Sequence, residues 1–337
     1  MFRYAVRRLI FAVPTLLVIS FIIFALLDLA PSDPTAQLPL TIPEEVREMI
    51  KLSLGLGEPF HIRYVRWLEQ FLVNEPLNLI ETYWDVRIGD SEQRLRVRSW
   101  STRAPVIDLI AERLPQTLMV VGVSYMVAIL IAVPIGVVSA YRQYSIFDQV
   151  GTFISMVGFS VPTFFTGTVL IVIFSVMLGW LPSIYDTTHV VEDFDSFIVQ
   201  VKQMIMPVMV LGLFNAAQLS RFMRSSMLDN LNQEYVRTAR AKGMTEPVVV
   251  LIHVLRNSMI PVITVIALGL PATFAGAIIT EQIFRINGVG QLLIGAIESA
   301  DIPTVQTVTF IFAILIVMFN LVADLLYGML DPRIRYD

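Results

Sequence analysis

The residues able to do covalent or proton chemistry are few. His61, His189 and His253 are the only imidazoles in 337 residues, and cysteine is absent. All three histidines fall outside the long apolar runs, so a serine–histidine dyad within a membrane has no base to use. Thiolate nucleophiles, thiolate metal sites and disulfides are excluded. No Gly-x-Ser-x-Gly elbow occurs, which disfavours an intramembrane hydrolase. Lys51, Lys202 and Lys242 follow Ile50, Val201 and Ala241, so no Gly-Lys-Ser/Thr loop can cradle a nucleotide phosphate. "GVGQLLIG" (288–295) lacks dinucleotide-fingerprint spacing and reads as a flexible re-entrant or outer turn.

Acids are scarce near the apolar runs. Glu281 lies near the outer end of one and Asp324 near the inner end of another; such acids are functional candidates by default, and a structural, hydrogen-bonded role is expected for Asp324. A self-powered secondary carrier needs carboxylate or histidine relays near mid-membrane. The remaining polar groups are neutral: Ser155, Ser160, Thr163, Asn215, Gln218, Thr273 and Thr280. With Glu281 they form the candidate substrate path, although Ser and Thr also serve helix packing in membranes.

The elements that must position these groups are membrane helices. The chain is 55% hydrophobic and 15% charged, against about a quarter charged in soluble domains. Its apolar runs are continuous and reach the roughly 20 residues a spanning helix needs. The expected fold is an all-α integral membrane protein with six spans, at about Leu9–Leu29, Gln116–Ala140, Gly151–Trp180, Gln203–Phe222, Ile260–Ile283 and Pro303–Met329. The first is too long for a signal h-region and lacks a cleavage pattern, so it is read as an uncleaved span. Arg3, Arg7, Arg8, Arg142, Arg221, Arg224, Arg237, Arg240, Lys242, Arg256, Arg333 and Arg335 fall on one side, which places both termini in the cytoplasm.

The expected organisation is an N-terminal helix (1–30), an extracytoplasmic segment (31–113) and a core of five spans (114–337). In the outer segment, Thr41 and Pro43-Glu44-Glu45 read as a helix start, with Val46, Met49, Ile50 and Leu54 on one face. A second helix carries Tyr64, Val65, Leu68, Phe71 and Leu72. "DVRIGDSEQRLRVRS" (85–99) alternates around a Gly-Asp-Ser turn as a hairpin does. The region is read equally as a solvated cap or a docking surface.

One loop interrupts the apolar chain: "EYVRTARAKGMTEPVVVLIHVLRN", 234–257. Asn232 is placed to cap a short helix with Tyr235, Val236 and Ala239 on its apolar face. Gly243 suits a left-handed helix end, and Thr245 a cap for a second helix with Glu246 and Pro247 in its first turn. The pattern reads as a rigid cytoplasmic knob that plugs into a partner's groove.

At this loop the chain resembles the inner-membrane permeases of binding-protein-dependent ABC importers of the dipeptide, oligopeptide and nickel type. Arg237, Thr238 and Ala239 match the positions of the family's Glu-Ala-Ala, with its glycine at Gly243. "YVRTARAKG" followed by "HVLRNSMIP" is similar to the peptide branch. So are "GFSVPTFFTGTVLIVIFSVMLGWLP" (158–182), "LGLGEPFHIRYVRWL" and "NLVADLLYGMLDPRIR". "TEQIFRINGVGQLLIGAIESADIP" (280–303) resembles the Glu-x-x-Phe … Pro-Gly-x-Gly … Asp-x-Pro pattern, with Asn287 in place of proline.

The resemblance covers nearly the whole chain and is weakest at 74–103. It implies half of a translocation pore for peptides in a bacterial or archaeal inner membrane. The implied partners are a second homologous permease chain, cytoplasmic ABC ATPases, an extracytoplasmic substrate-binding protein and membrane lipid, with no nucleic acid. ATP and magnesium would sit on the ATPase, and this chain would bind no cofactor. The loop 233–257 would be the coupling helix, contacting the ATPase through Tyr235, Arg237, Thr238, Ala239, Arg240, Lys242 and Gly243. The rival reading is a stand-alone channel or secondary carrier for small polar solutes.

Overall fold

The computed structural model describes residues 2–29, 43–53, 56–84, 89 and 94–330. The described residues are overwhelmingly helical, and their one β-type pairing is an isolated bridge between Arg98 and Pro105. The helices are α1 (Phe2–Asp28), α2 (Glu44–Ser53), α3 (Phe60–Glu69), α4 (Glu75–Trp84), α5 (Val106–Tyr141), α6 (Ile146–Ser160), α7 (Thr163–Leu170) and α8 (Phe194–Leu231). They continue as α9 (Glu234–Ala241), the short turn α10 (Glu246–Val248), α11 (Leu255–Phe284), α12 (Val289–Glu298) and α13 (Ile302–Leu330). Three π-helical stretches adjoin them, at Gln70–Asn74, Ile171–Met177 and Val249–Val254.

Among the described residues, five helical runs are long and apolar enough to cross a membrane: Val6–Asp28, Val106–Tyr141, Phe194–Leu231, Glu246–Phe284 and Ile302–Leu326. The expected third span, Gly151–Trp180, is not one straight helix. α6 and the run Thr163–Met177 meet at 104°, so the count is six only if this bent pair is a single span. The cause is local. Val161 precedes Pro162, whose ring disfavours helical backbone at the residue before it. Val161 accordingly sits at φ −83°, ψ 126°, and Pro162 takes the position that starts α7. His253 lies in the first turns of the helical run Glu246–Phe284, whose 39 residues exceed the roughly 20 that a crossing needs.

The chain divides into two compact units. The first comprises residues 1–12, 115–291 and 315–337. In it α5 and α8 meet through small and aliphatic residues, Ala128, Ala132, Ala216 and Leu219, the composition that lets membrane helices approach closely. Asp148 on α6 binds Arg224 on α8 through two bonds of 2.6 and 2.7 Å. Arg8 and Asp324 pair at 2.9 Å, the structural role expected for that acid. Before α8, Asp193 and Ser196 cap each other's backbone in a capping box.

The second unit comprises residues 13–114 and 292–314. Its centre is aromatic: Phe24, Phe60, Tyr64, Trp67, Phe71 and Phe310 pack ring against ring at centroid distances of 5.0–6.5 Å. The buried face of α3 and the following turn is therefore Tyr64, Trp67 and Phe71. Val65 and Leu72, expected on that face, are 61% and 48% exposed. Arg96 bridges Glu75 (2.8 Å) and Asp108 (2.7 Å). Burial alone would lower its pKa, but these carboxylates outweigh it and hold the guanidinium more firmly protonated than usual. Asp301 accepts bonds from Ser99 Oγ, Trp100 N, Ser101 Oγ and Thr304 Oγ1.

The hairpin expected over 85–99 lies partly outside the described residues, as do Thr41, Ile42 and Leu54. At the end of its described part, Ser99 N–H donates to Ala104 O and Val106 N–H to Val97 O. These bonds make a turn at 99–104, closed by Arg103 in the left-handed conformation (φ 62°).

Candidate functional site

The loop between α8 and α11 is a packed structure. Asn232 does not cap α9; it ends α8, its Nδ2 donating to Leu228 O at 3.2 Å. Gln233, with extended backbone, turns the chain, and α9 starts without a side-chain cap. Val236 and Ala239 are buried with Met223, Met227, Val249, Val250 and Val254. Tyr235 stands apart from that apolar face, exposed, with its hydroxyl donating to Asn230 Oδ1 at 2.8 Å.

Gly243 ends α9 as expected, at φ +77°. Its N–H donates to Arg240 O (2.9 Å) and that of Met244 to Ala239 O (3.3 Å), the paired bonds of a Schellman motif. Thr245 starts α10 through its backbone; its side chain makes no capping bond. Pro247 sits in the first turn, where a missing N–H costs nothing.

Further ionic and polar contacts dress this loop. Arg237 pairs with Glu234 inside α9 at 2.8 Å, both groups widely exposed. Thr238 Oγ1 donates to Glu234 O. Arg240 reaches across the turn to Glu246 with two bonds, Nε to Oε1 at 2.8 Å and Nη2 to Oε2 at 3.2 Å. The bonds to Glu246 push the Arg240 guanidinium further into its protonated form. Lys242 is exposed.

The magnitudes sort these contacts by role. Val236, Val249 and Val254 are fully buried, each worth about 1.5–3 kcal/mol. A half-exposed ion pair is worth about 0–1 kcal/mol. Apolar burial holds the loop in place, and the ion pair adds little to its stability. Sequence reading treated Glu246 only as a first-turn acid; its three-residue distance from Gly243 was the available signal.

The expected substrate-path residues separate into two groups. Ser155 is buried and bonded to Ser220 at 3.1 Å. Asn215 is buried, donating to Leu211 O and accepting from Thr273, which also bonds Gly269 O. Thr280 is fully buried and bonded to Gly276 O. These polar side chains find their hydrogen-bond partners within the chain. Ser160, Thr163 and Gln218 keep accessible surface, and the first two flank the 104° bend.

Glu281 belongs to the first group. It is fully buried and accepts from Thr117 Oγ1 (2.6 Å), Gly290 N (2.7 Å) and Gln291 N (3.1 Å). A Cβ at Gly290 would lie 2.6 Å from Ile278 Cα and 2.8 Å from Glu281 Oε2, and one at Gly288 would overlap the carboxyl carbon. "GVGQLLIG" is therefore a close-fitting cradle that opens α12, not a flexible turn. Thr117 lies 164 residues from Glu281, and nothing local in the sequence signals the pair.

Comparison with known proteins agrees on one class. Residues 132–336 match the family described as "Binding-protein-dependent transport system inner membrane component", and residues 1–121 match its N-terminal companion. The oligopeptide transport system permease protein AppB of Bacillus subtilis (strain 168) is 39% identical over 337 residues, covering 100% of both chains. A putative peptide permease protein of Brucella suis biovar 1 (strain 1330) is 36% identical, covering 99% of each. The glutathione transport system permease protein GsiC of Salmonella paratyphi A is 34% identical over 339 residues, covering 100% of each. Among solved structures, a chain of the MetNI methionine ABC transporter in an inward-facing conformation aligns with a TM-score of 0.51 and 17% identity. It covers 67% of this chain and 97% of that one, a likeness of fold.

Proposed function

Because the chain belongs to the binding-protein-dependent transport system inner membrane component family, we propose that it forms half of the pore of an ATP-driven peptide importer. It pairs with a second homologous permease chain in a bacterial or archaeal inner membrane, with both termini in the cytoplasm. Cytoplasmic ATPases hold ATP and magnesium, and an extracytoplasmic binding protein delivers the peptide. On this reading the bent pair α6–α7 is one of six spans, and residues 31–113 supply the extracytoplasmic segment.

The observation that carries this reading is the loop at 233–257. It presents α9, with Arg237, Thr238 and Lys242 outward, on a bed of buried valines. The helical run that starts at Glu246 continues to Phe284. Closure of the ATPases pushes α9, and the long run carries the push across the membrane. Of the expected path residues, Ser160, Thr163 and Gln218 line the peptide route, and the buried five hold the helices together. The peptide class follows the names of the full-length relatives.

The test is reconstitution in liposomes. With the second permease, ATPases and binding protein, peptide uptake requires ATP. Flux through this chain alone, without any ATPase, overturns the proposal.

A further inference from the structure

We propose that Arg240 is a positioning residue: its two bonds to Glu246 fix the angle between α9 and the helical run beginning at Glu246. A push on α9 then moves that run instead of being absorbed by the turn between them. This rests on the coupling reading above and adds that Arg240 works within this chain, not against the ATPase.

The turn needs such a brace. Lys242 to Thr245 is all that joins α9 to α10, and it contains Gly243 at φ +77° with open space where a Cβ would stand. No atom stands where a Cβ of that glycine would be, so the turn itself is held by the two backbone bonds of the Schellman motif alone. Those bonds fix the end of α9 and not the direction of α10. Val236 and Ala239 seat one side of α9, but a single apolar strip lets a two-turn helix rock about its own axis. Arg240 lies on the last turn of α9, and its guanidinium spans the gap to the first residue of α10. A planar guanidinium gripping both carboxylate oxygens fixes direction as well as distance, which an ammonium does not.

The other ion pair of the loop serves as an internal contrast. Arg237 and Glu234 are both on α9, so their bond cannot fix the angle between α9 and anything else. At 42% and 43% exposure, Arg240 and Glu246 are not needed to bury apolar surface. Their geometry across the turn is what distinguishes them.

The experiment uses the complete transporter in liposomes, and the cysteine-free chain allows a single spin label at the exposed A241C. R240E and E246R each raise the label's mobility and lower peptide moved per ATP hydrolysed about fivefold or more. The double variant R240E/E246R restores both readouts, and R240K falls between. If the single reversals leave the label's mobility unchanged, or if the double variant restores neither readout, the brace is refuted. If the unaltered transporter moves peptide without ATP, the coupling reading fails, while the label still decides whether the brace exists.

Discussion

The carboxyl group of Glu281 occupies the space that a side chain at position 288 would need. Gly288 and Gly290 are glycines because a buried acid lies against their backbone, and that acid is held by the N–H groups that open α12.

Gly288→Ala is therefore expected to destabilise the protein by about 2–3 kcal/mol, the cost of overpacking a filled site. Glu281→Ala leaves two backbone N–H groups and the Thr117 hydroxyl without their acceptor, at about 1–3 kcal/mol for each buried group stranded. The double variant costs less than the sum, because the methyl group enters vacated space. Thermal unfolding of the four proteins in one detergent measures this, and strict additivity is the contrary result.

Asp148 and Arg224 should respond unequally to truncation. The Asp148 side chain is 4% exposed and that of Arg224 is 27%. Arg224→Ala strands a buried carboxylate, at about 3–5 kcal/mol. Asp148→Ala leaves an arginine that already reaches the surface and costs less. Melting temperatures in the order wild type, D148A, R224A check the ranking.

Gly243→Ala places a Cβ in left-handed backbone, at about 1–2 kcal/mol, with no steric clash to add. Gly243→Asn costs less, since asparagine tolerates that conformation. Gly243→Pro removes the N–H that donates to Arg240 O and cannot adopt φ +77°. All three variants insert in the membrane at normal levels, and transport per ATP falls in the order Asn, Ala, Pro. Wild-type coupling in G243P is the outcome that contradicts a fixed α9.

The segment before α8 is acid-sensitive. Hydrogen bonds from Thr188 hold Asp186, and hydrogen bonds from Ser196 hold Asp193, below the usual carboxylate range. Their folded pKa values lie under the unfolded ones, so the stabilisation is present above the ordinary value of about 3.9. It disappears as pH falls through the lowered values. Amide exchange across 182–196 should accelerate in that acid window while the spans stay protected. D186N and D193N should flatten the response, and an unchanged acid profile in both would count against it.

What was legible in the sequence was local. Gly243 announced a helix end because its chemistry is single-residue chemistry, and the apolar runs announced their helices by length. The break at Val161-Pro162 was also local, but the continuous apolar run around it hid a bend that removes no hydrophobicity. Asn232 and Gln233 are both plausible starts for α9, and only the packing of Val236 against Val249 and Val254 fixes which one turns the chain. Ser155, Asn215, Thr273 and Glu281 look alike in sequence whether they face a pore or a neighbouring helix. Their partners, Ser220, one another and Thr117, come from other helices, at separations that no local pattern carries.

The π-helical stretch Val249–Val254 separates α10 from α11 without breaking the run. A π turn accommodates one more residue than an α turn, and one residue is about 100° of helical rotation. Deleting one residue there would let the stretch close as an α turn and keep the flanking helices near their present directions, whereas the same deletion within α11 would rotate everything beyond it by about 100°. The π stretch is thus the one place in this run where the chain can lose a residue without turning α9 away from the far end of α11.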